Sequence, residues 1–129
     1  MKLDQVTLPV HDLARAVAFY TRFGLLQIVD APPRYARFEL PDGDATLSLE
    51  LSSQPVGHGP ELFFELPSAA ALDAKARELE ALGFRFDHGP IDQSWLWREA
   101  RLRDPDGNRL CLFYAGENRR NPPWRMGGT

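Results

Sequence analysis

Three carboxylates, two guanidinium groups and three aromatic rings share the polar faces of alternating segments, and through them this chain can do chemistry. Period-2 alternation places Glu50, Glu61 and Glu99, Arg37 and Arg101, and Phe63, Trp97 and Phe113 opposite apolar, mostly leucine-rich faces. Gln5, Thr7, Tyr35, Ser48 and Cys111 fall on the same polar faces. If the leucine faces pack on helices, the opposite faces are left for a ligand. Aromatic walls with a few charges suit a small polar or anionic molecule that has a flat part. The bland alternative is that Arg37 with Glu99, or Arg101 with Glu61, simply pair and fill space. No Ser-His-Asp signature, phosphate-cradling glycine loop or CxxC pair points to another chemistry.

A phrase that occurs twice organises the elements behind these positions. Arg103 to Tyr114 reads RDPDGNRLCLFY, where Pro105 presets φ for a turn, Gly107 supplies a positive φ, and an alternating strand follows. Leu40 to Leu51 reads LPDGDATLSLEL, so that Leu47-Ser48-Leu49 falls on Leu110-Cys111-Leu112. A repeated turn-and-strand implies a repeated unit. The first copy runs strand Leu3–Val10, a helix capped by Asp12 with Leu13, Ala16, Val17 and Tyr20 on one face and Gly24 at its end, then strands Leu25–Asp30, Tyr35–Leu40 and Ala45–Ser52. After a Ser, Pro and Gly-rich linker, the order restarts with strand Glu61–Leu66. A helix opened by Pro67-Ser68 follows, burying Leu72, Ala76 and Leu79 and ending at Gly83, and then strands Phe84–Asp87, Ser94–Arg103 and Arg109–Tyr114. The expected fold is α+β: two tandem βαβββ modules over residues 1–55 and 60–115, with a tail over 116–129. The loop HGPIDQSWLW, starting at His88 and carrying Trp95, is a candidate lid, or else a cover for an edge or a subunit contact. Trp124 is a candidate anchor for the tail, His11 is expected at the surface, and His58 either faces solvent or folds over a ligand.

Composition narrows the class. A length of 129 residues with 43% hydrophobic and 26% charged residues suits one domain, or two half-size modules, of an ordinary globular protein. A net charge of −3 argues against a nucleic-acid surface. The longest apolar runs fall short of a membrane span, the start lacks a signal-peptide pattern, and the single cysteine cannot form an internal disulfide, so a cytoplasmic protein is expected.

Two βαβββ units with these turns resemble the vicinal oxygen chelate superfamily, which includes glyoxalase I, bleomycin- and fosfomycin-resistance proteins and extradiol dioxygenases. The resemblance rests on VxLxVxDL from Val6 to Leu13, AFYxxxGL from Ala18 to Leu25 and DPDGNRLCL from Asp104 to Leu112. It implies a sheet curled into a cup with helices outside, a small-molecule ligand inside, and a homodimer with two equivalent sites.

In metal-dependent members, ligands stand on the first and last strand of each module. Carried over residue by residue, the resemblance puts these positions on Gln5, on Ser48 or Glu50, on Glu61 and on Cys111. Both Ser48 and Glu50 face the cup, so alternation leaves that choice open. Histidine is missing from all of them, although imidazole is the ligand best suited to a transition metal there. Gln5, Glu50 and Glu61 offer oxygens to a divalent ion such as zinc, nickel or manganese, with Cys111 as a thiolate ligand or a small hydrophobe. With metal, the implied activity is of glyoxalase type, with Lewis-acid stabilisation of an enediolate and Glu50 or Glu61 as ligand or base. Without metal it is sequestration of a planar compound by Arg37, Phe63, Trp97, Glu99, Arg101 and Phe113; a third possibility is an interaction module with a degenerate cup.

Overall fold

The leucine faces are buried as the alternation requires: Leu8, Val10, Leu47, Leu49, Leu102, Leu110 and Leu112 are all inside the core. Each such side chain, fully removed from water, stabilises by roughly 1.5–3 kcal/mol. The computed structural model describes residues 1–127. Its first module holds β1 (Gln5–Val10), α1 (Leu13–Phe23), β2 (Leu26–Ala31), β3 (Tyr35–Glu39) and β4 (Thr46–Leu51). The second holds β5 (Leu62–Glu65), α2 (Ala69–Ala81), β6 (Phe86–Asp92), β7 (Arg98–Arg103) and β8 (Arg109–Tyr114). The sheets are mixed and equivalent, β1-β4-β3-β2 and β5-β8-β7-β6, with one parallel pair in each. The fold is thus α+β, built of two βαβββ modules. Among the described residues no helix is long and apolar enough to cross a membrane.

The ends of α1 follow from local chemistry. Asp12, in extended conformation, accepts a bond from the Arg15 amide at 3.1 Å and caps the helix. Gly24 takes φ 118°, which frees its amide to reach the Tyr20 and Thr21 carbonyls. In the second module, Ser68 caps α2 through the Ala71 amide at 3.0 Å.

The chain divides into two compact units, residues 1–60 with 104–108, and 61–103 with 109 onward. The second Pro-Asp-Gly turn therefore packs in the first unit, where Asp104 holds it. The buried Asp104 carboxylate accepts the Tyr20 hydroxyl at 2.7 Å, the Asp106 and Asn108 amides at 2.9 Å each, and the Asn108 side-chain amide at 2.9 Å. Four donors on two oxygens meet the demand that a buried charge be fully bonded. Burial, with the Asp104 charge beside it, pushes the Tyr20 hydroxyl pKa far up, so Tyr20 remains a donor.

Two expectations are corrected. Strand β6 runs on through His88, Gly89 and Pro90 to Asp92, where a loop is expected from the sequence. Pro90 is tolerated because β6 is an edge strand with irregular pairing between Phe86 and Ile91. The lid candidate shrinks to a hairpin loop, closed by Gln93 and Trp97, with Trp95 and Leu96 at its tip. The tail begins with a single 3₁₀ turn (Gly116–Arg119), and Trp124 anchors little, being 58% exposed.

Tyr20→Phe removes the hydroxyl from a buried carboxylate and should cost about 1–2 kcal/mol. Urea denaturation measures it, and an unchanged midpoint would show that Asp104 does not need that bond.

Candidate functional site

Pairing register assembles the second unit's polar face. Phe63 on β5 stands opposite Cys111 on β8, which stands opposite Arg101 on β7; one row further, Phe113 faces Glu99. Glu61 immediately precedes β5 on the same alternating face. The register therefore brings Glu61, Phe63, Trp97, Glu99, Arg101, Cys111 and Phe113 together in one unit. Gln5, Arg37, Ser48 and Glu50 share the corresponding face of the first unit.

Arg101 is the centre of the second face. Its Nη2 lies 3.0 Å from Glu99 Oε1 and its Nη1 lies 3.4 Å from Glu61 Oε2. The other Glu99 oxygen accepts the Trp95 indole N–H at 3.0 Å, so this 1%-exposed carboxylate has a donor on each oxygen. Burial works against the Arg101 charge, but Glu99 and Glu61 overcome it and hold the guanidinium pKa above its ordinary value. Its Nε–H is buried without an acceptor, so the cluster is not fully satisfied.

Beside these charges lies an aromatic cluster. Trp97 and Phe113 stack with centroids 4.7 Å apart, and Phe63 meets them edge-on at 5.9 and 5.7 Å. The Trp97 indole donates to the Asn118 carbonyl at 3.2 Å, which fixes the ring. Asn118 carries no signal in the sequence, because it lies in an aperiodic stretch. Phe63 keeps 43% of its surface exposed, and the Arg101 guanidinium lies 5.9 Å from its centroid.

In the first unit, Arg37 Nε donates to the Tyr35 hydroxyl at 2.9 Å, and Tyr35 and Ser48 share a hydrogen bond of 2.6 Å. Burial opposes the Tyr35 phenolate, yet hydrogen bonds from Ser48 and Arg37 bring its pKa below the ordinary value. Gln5 Oε1 accepts the Thr46 hydroxyl at 2.8 Å. Ser48 and Glu50 do share a face, but Ser48 is buried and Glu50 exposed. His11 and His58 are exposed, and the His88 ring bonds its neighbour's carbonyl, Gly89, at 2.9 Å.

The positions that the resemblance offers to a metal fit one poorly, judged unit by unit. Gln5 and Ser48 have their oxygens engaged by Thr46 and Tyr35, and Glu50, the alternative to Ser48, is exposed. Glu61 is ion-paired to Arg101, and Cys111 is fully buried with its S–H directed at the Leu112 carbonyl, 3.7 Å away. Among the described residues no three His, Cys, Asp or Glu side chains come together as a metal cluster. Burial, reinforced by Glu99 and only partly offset by Arg101, pushes the Cys111 thiol up to about 12. A buried neutral thiol is a poor ligand and a poor nucleophile.

Because the folded thiol titrates higher than its ordinary value of 9.0, its contribution to stability is complete below that pH and is lost as pH rises toward about 12. Cys111 should therefore resist a disulfide reagent at pH 8 in the native protein and react once unfolded; rapid native labelling would contradict its burial.

A family model described as the Glyoxalase/Bleomycin resistance protein/Dioxygenase superfamily matches residues 2–112. A trivalent organoarsenical cleaving enzyme from Bacillus sp. (strain MD1) is 29% identical over 138 aligned positions, covering 95% of this chain and 81% of that protein. Among solved structures, a glyoxalase/bleomycin resistance protein/dioxygenase from Nocardioides superposes with a TM-score of 0.80 at 24% identity, over 98% of this chain and 90% of that one. A lactoylglutathione lyase from Agrobacterium tumefaciens gives a TM-score of 0.74 at 24% identity, over 88% and 92% of the two chains. At these identities the superpositions speak for the fold, and the family model covers most of the chain. Repeated βαβββ modules, the Pro-Asp-Gly turns and the family match agree: the chain belongs to the glyoxalase/bleomycin resistance protein/dioxygenase superfamily.

Proposed function

We propose that this protein binds a flat small molecule against Phe63 and Trp97, with Phe113 backing them, Arg101 and Glu61 contacting its polar part, Glu99 holding Arg101 in place, and without a catalytic metal. The observation that carries this reading is the aromatic cluster itself: Phe63, 43% exposed, offers a wall beside Arg101 and Glu61, held by Trp97 stacked on the buried Phe113. A large aromatic surface kept in contact with water, beside fixed charges, suits a partly conjugated ligand. The bleomycin-resistance branch of the superfamily gives this reading its precedent.

The second reading is a glyoxalase-type enzyme with Glu50 or Glu61 as base, and the names of the lyase and of the arsenical-cleaving relative point that way. The exposure of Glu50 favours it. The ion pair on Glu61 weighs against it, since the carboxylate is already engaged by Arg101. A thiol route to trivalent arsenic gains nothing from Cys111, which is buried and protonated. Self-association as a homodimer is part of the same proposal, supported by Leu26 and Ile28, exposed on edge strand β2; sedimentation equilibrium at the monomer mass would remove it.

Titration with 1-naphthaleneacetate and with 1-naphthylmethylamine, followed by amide chemical shifts, tests the reading. Shifts should centre on Phe63, Trp97 and Phe113, and Trp97→Ala should weaken the better probe about tenfold, the equivalent of about 1.4 kcal/mol. Equal affinity in the variant would place binding elsewhere.

A further inference from the structure

The two modules repeat one juxtaposition. On β7 and β8, Arg101 pairs in register with Cys111; on β3 and β4, Arg37 pairs in register with Ser48. Cys111 is the last-strand position at which the superfamily resemblance expects a metal ligand in the second module, and Ser48, one of the two candidates in the first, is its counterpart by the internal repeat. In each module an arginine lies directly across from that position, and in each its guanidinium is engaged by groups on the same face. Arg37 bonds the Tyr35 hydroxyl, which in turn bonds Ser48. Arg101 spends one terminal nitrogen on Glu99 and the other on Glu61, the first-strand position of that module.

The carboxylates of the second unit therefore already hold a cation, and it is part of the chain. We propose that Arg101 is a built-in cation that takes the place of a divalent metal at Glu61 and Glu99 and excludes one from them. Geometry supports this in three ways. Glu99 has both oxygens occupied, by Arg101 and by the Trp95 indole. Glu61 faces the guanidinium at 3.4 Å, so an ion on Glu61 would lie against a fixed positive charge. Cys111, the remaining donor, is closed to solvent and turned to the Leu112 carbonyl. This goes beyond the ligand reading, because it concerns which cation the charges recognise, whatever lies on the aromatic cluster.

Removing the guanidinium should create a metal site. Zinc chloride and nickel chloride are titrated calorimetrically into chelator-free wild-type protein and into Arg101→Met, Arg101→Gln and Arg101→Lys. Wild type and Arg101→Lys, which keep the positive charge, should show no stoichiometric binding. Arg101→Met and Arg101→Gln should bind zinc at least tenfold more tightly than wild type, and adding Glu61→Gln should abolish the gain. If a neutral variant is too unstable to titrate, the midpoint of thermal unfolding replaces heat: zinc should raise it in that variant and leave wild type unmoved. Stoichiometric metal on wild type that is lost in Glu61→Gln overturns the proposal. So does a neutral variant, folded or assayed by melting, that gains nothing from either metal. The naphthalene titrations report separately on the aromatic cluster, so either reading fails without the other.

Discussion

One guanidinium placed between two carboxylates constrains the polar face of the second unit. Arg101 sits in register with Cys111 on the adjoining strand, and Glu99, two residues earlier, shares its face. Glu99 is 1% exposed, and a buried carboxylate without a partner costs several kcal/mol. The neighbourhood is shaped by that requirement. Trp95 turns its indole N–H inward from the hairpin tip to bond the second Glu99 oxygen. Leu96, next to it, accepts a left-handed φ of 70°, a conformation disfavoured for a side-chain-bearing residue. The hairpin loop is therefore tied to the charge cluster at its base.

The aromatic cluster depends on the same register. Trp97 lies two residues before Glu99 on the same alternating face, and Phe113 is the direct partner of Glu99 on β8. A one-residue slip of β7 would send Glu99 and Arg101 to the helix side, part Glu99 from Phe113, and destroy both features at once. Leu102 and Ala100, buried on the opposite face, oppose such a slip. Packing against the helix thus fixes the geometry of the face that meets a ligand, which is how sequence pattern becomes a site.

Much of this was legible in the amino-acid order because it depends on short-range rules. Asp12 and Gly24 mark the ends of α1, the leucine alternation assigns the faces, and the repeated Pro-Asp-Gly phrase identifies two copies of one module. What escaped depends on tertiary partners. Gly89 and Pro90 read as loop because they break regular strands, yet an edge strand with irregular pairing accommodates both. The second turn reads as a local hairpin feature, while its Asp104 is in fact the buried partner of Tyr20, far away in the chain. Trp124 reads as an anchor by size alone and lies largely in solvent. The charge pattern allowed either Arg37 with Glu99 or Arg101 with Glu61; the fold gives Arg101 both Glu61 and Glu99, and gives Arg37 to Tyr35.

The balance of charge at Arg101 is tested most directly by a double-mutant cycle on folding stability, using Glu99→Gln, Arg101→Met and the double variant in urea denaturation. A buried, hydrogen-bonded charge pair should show a coupling energy of at least about 1.5 kcal/mol, so that the double variant is far less destabilised than the sum of the single ones. Additive losses, with coupling near zero, would mean that Glu99 does not rely on Arg101 and would contradict the account.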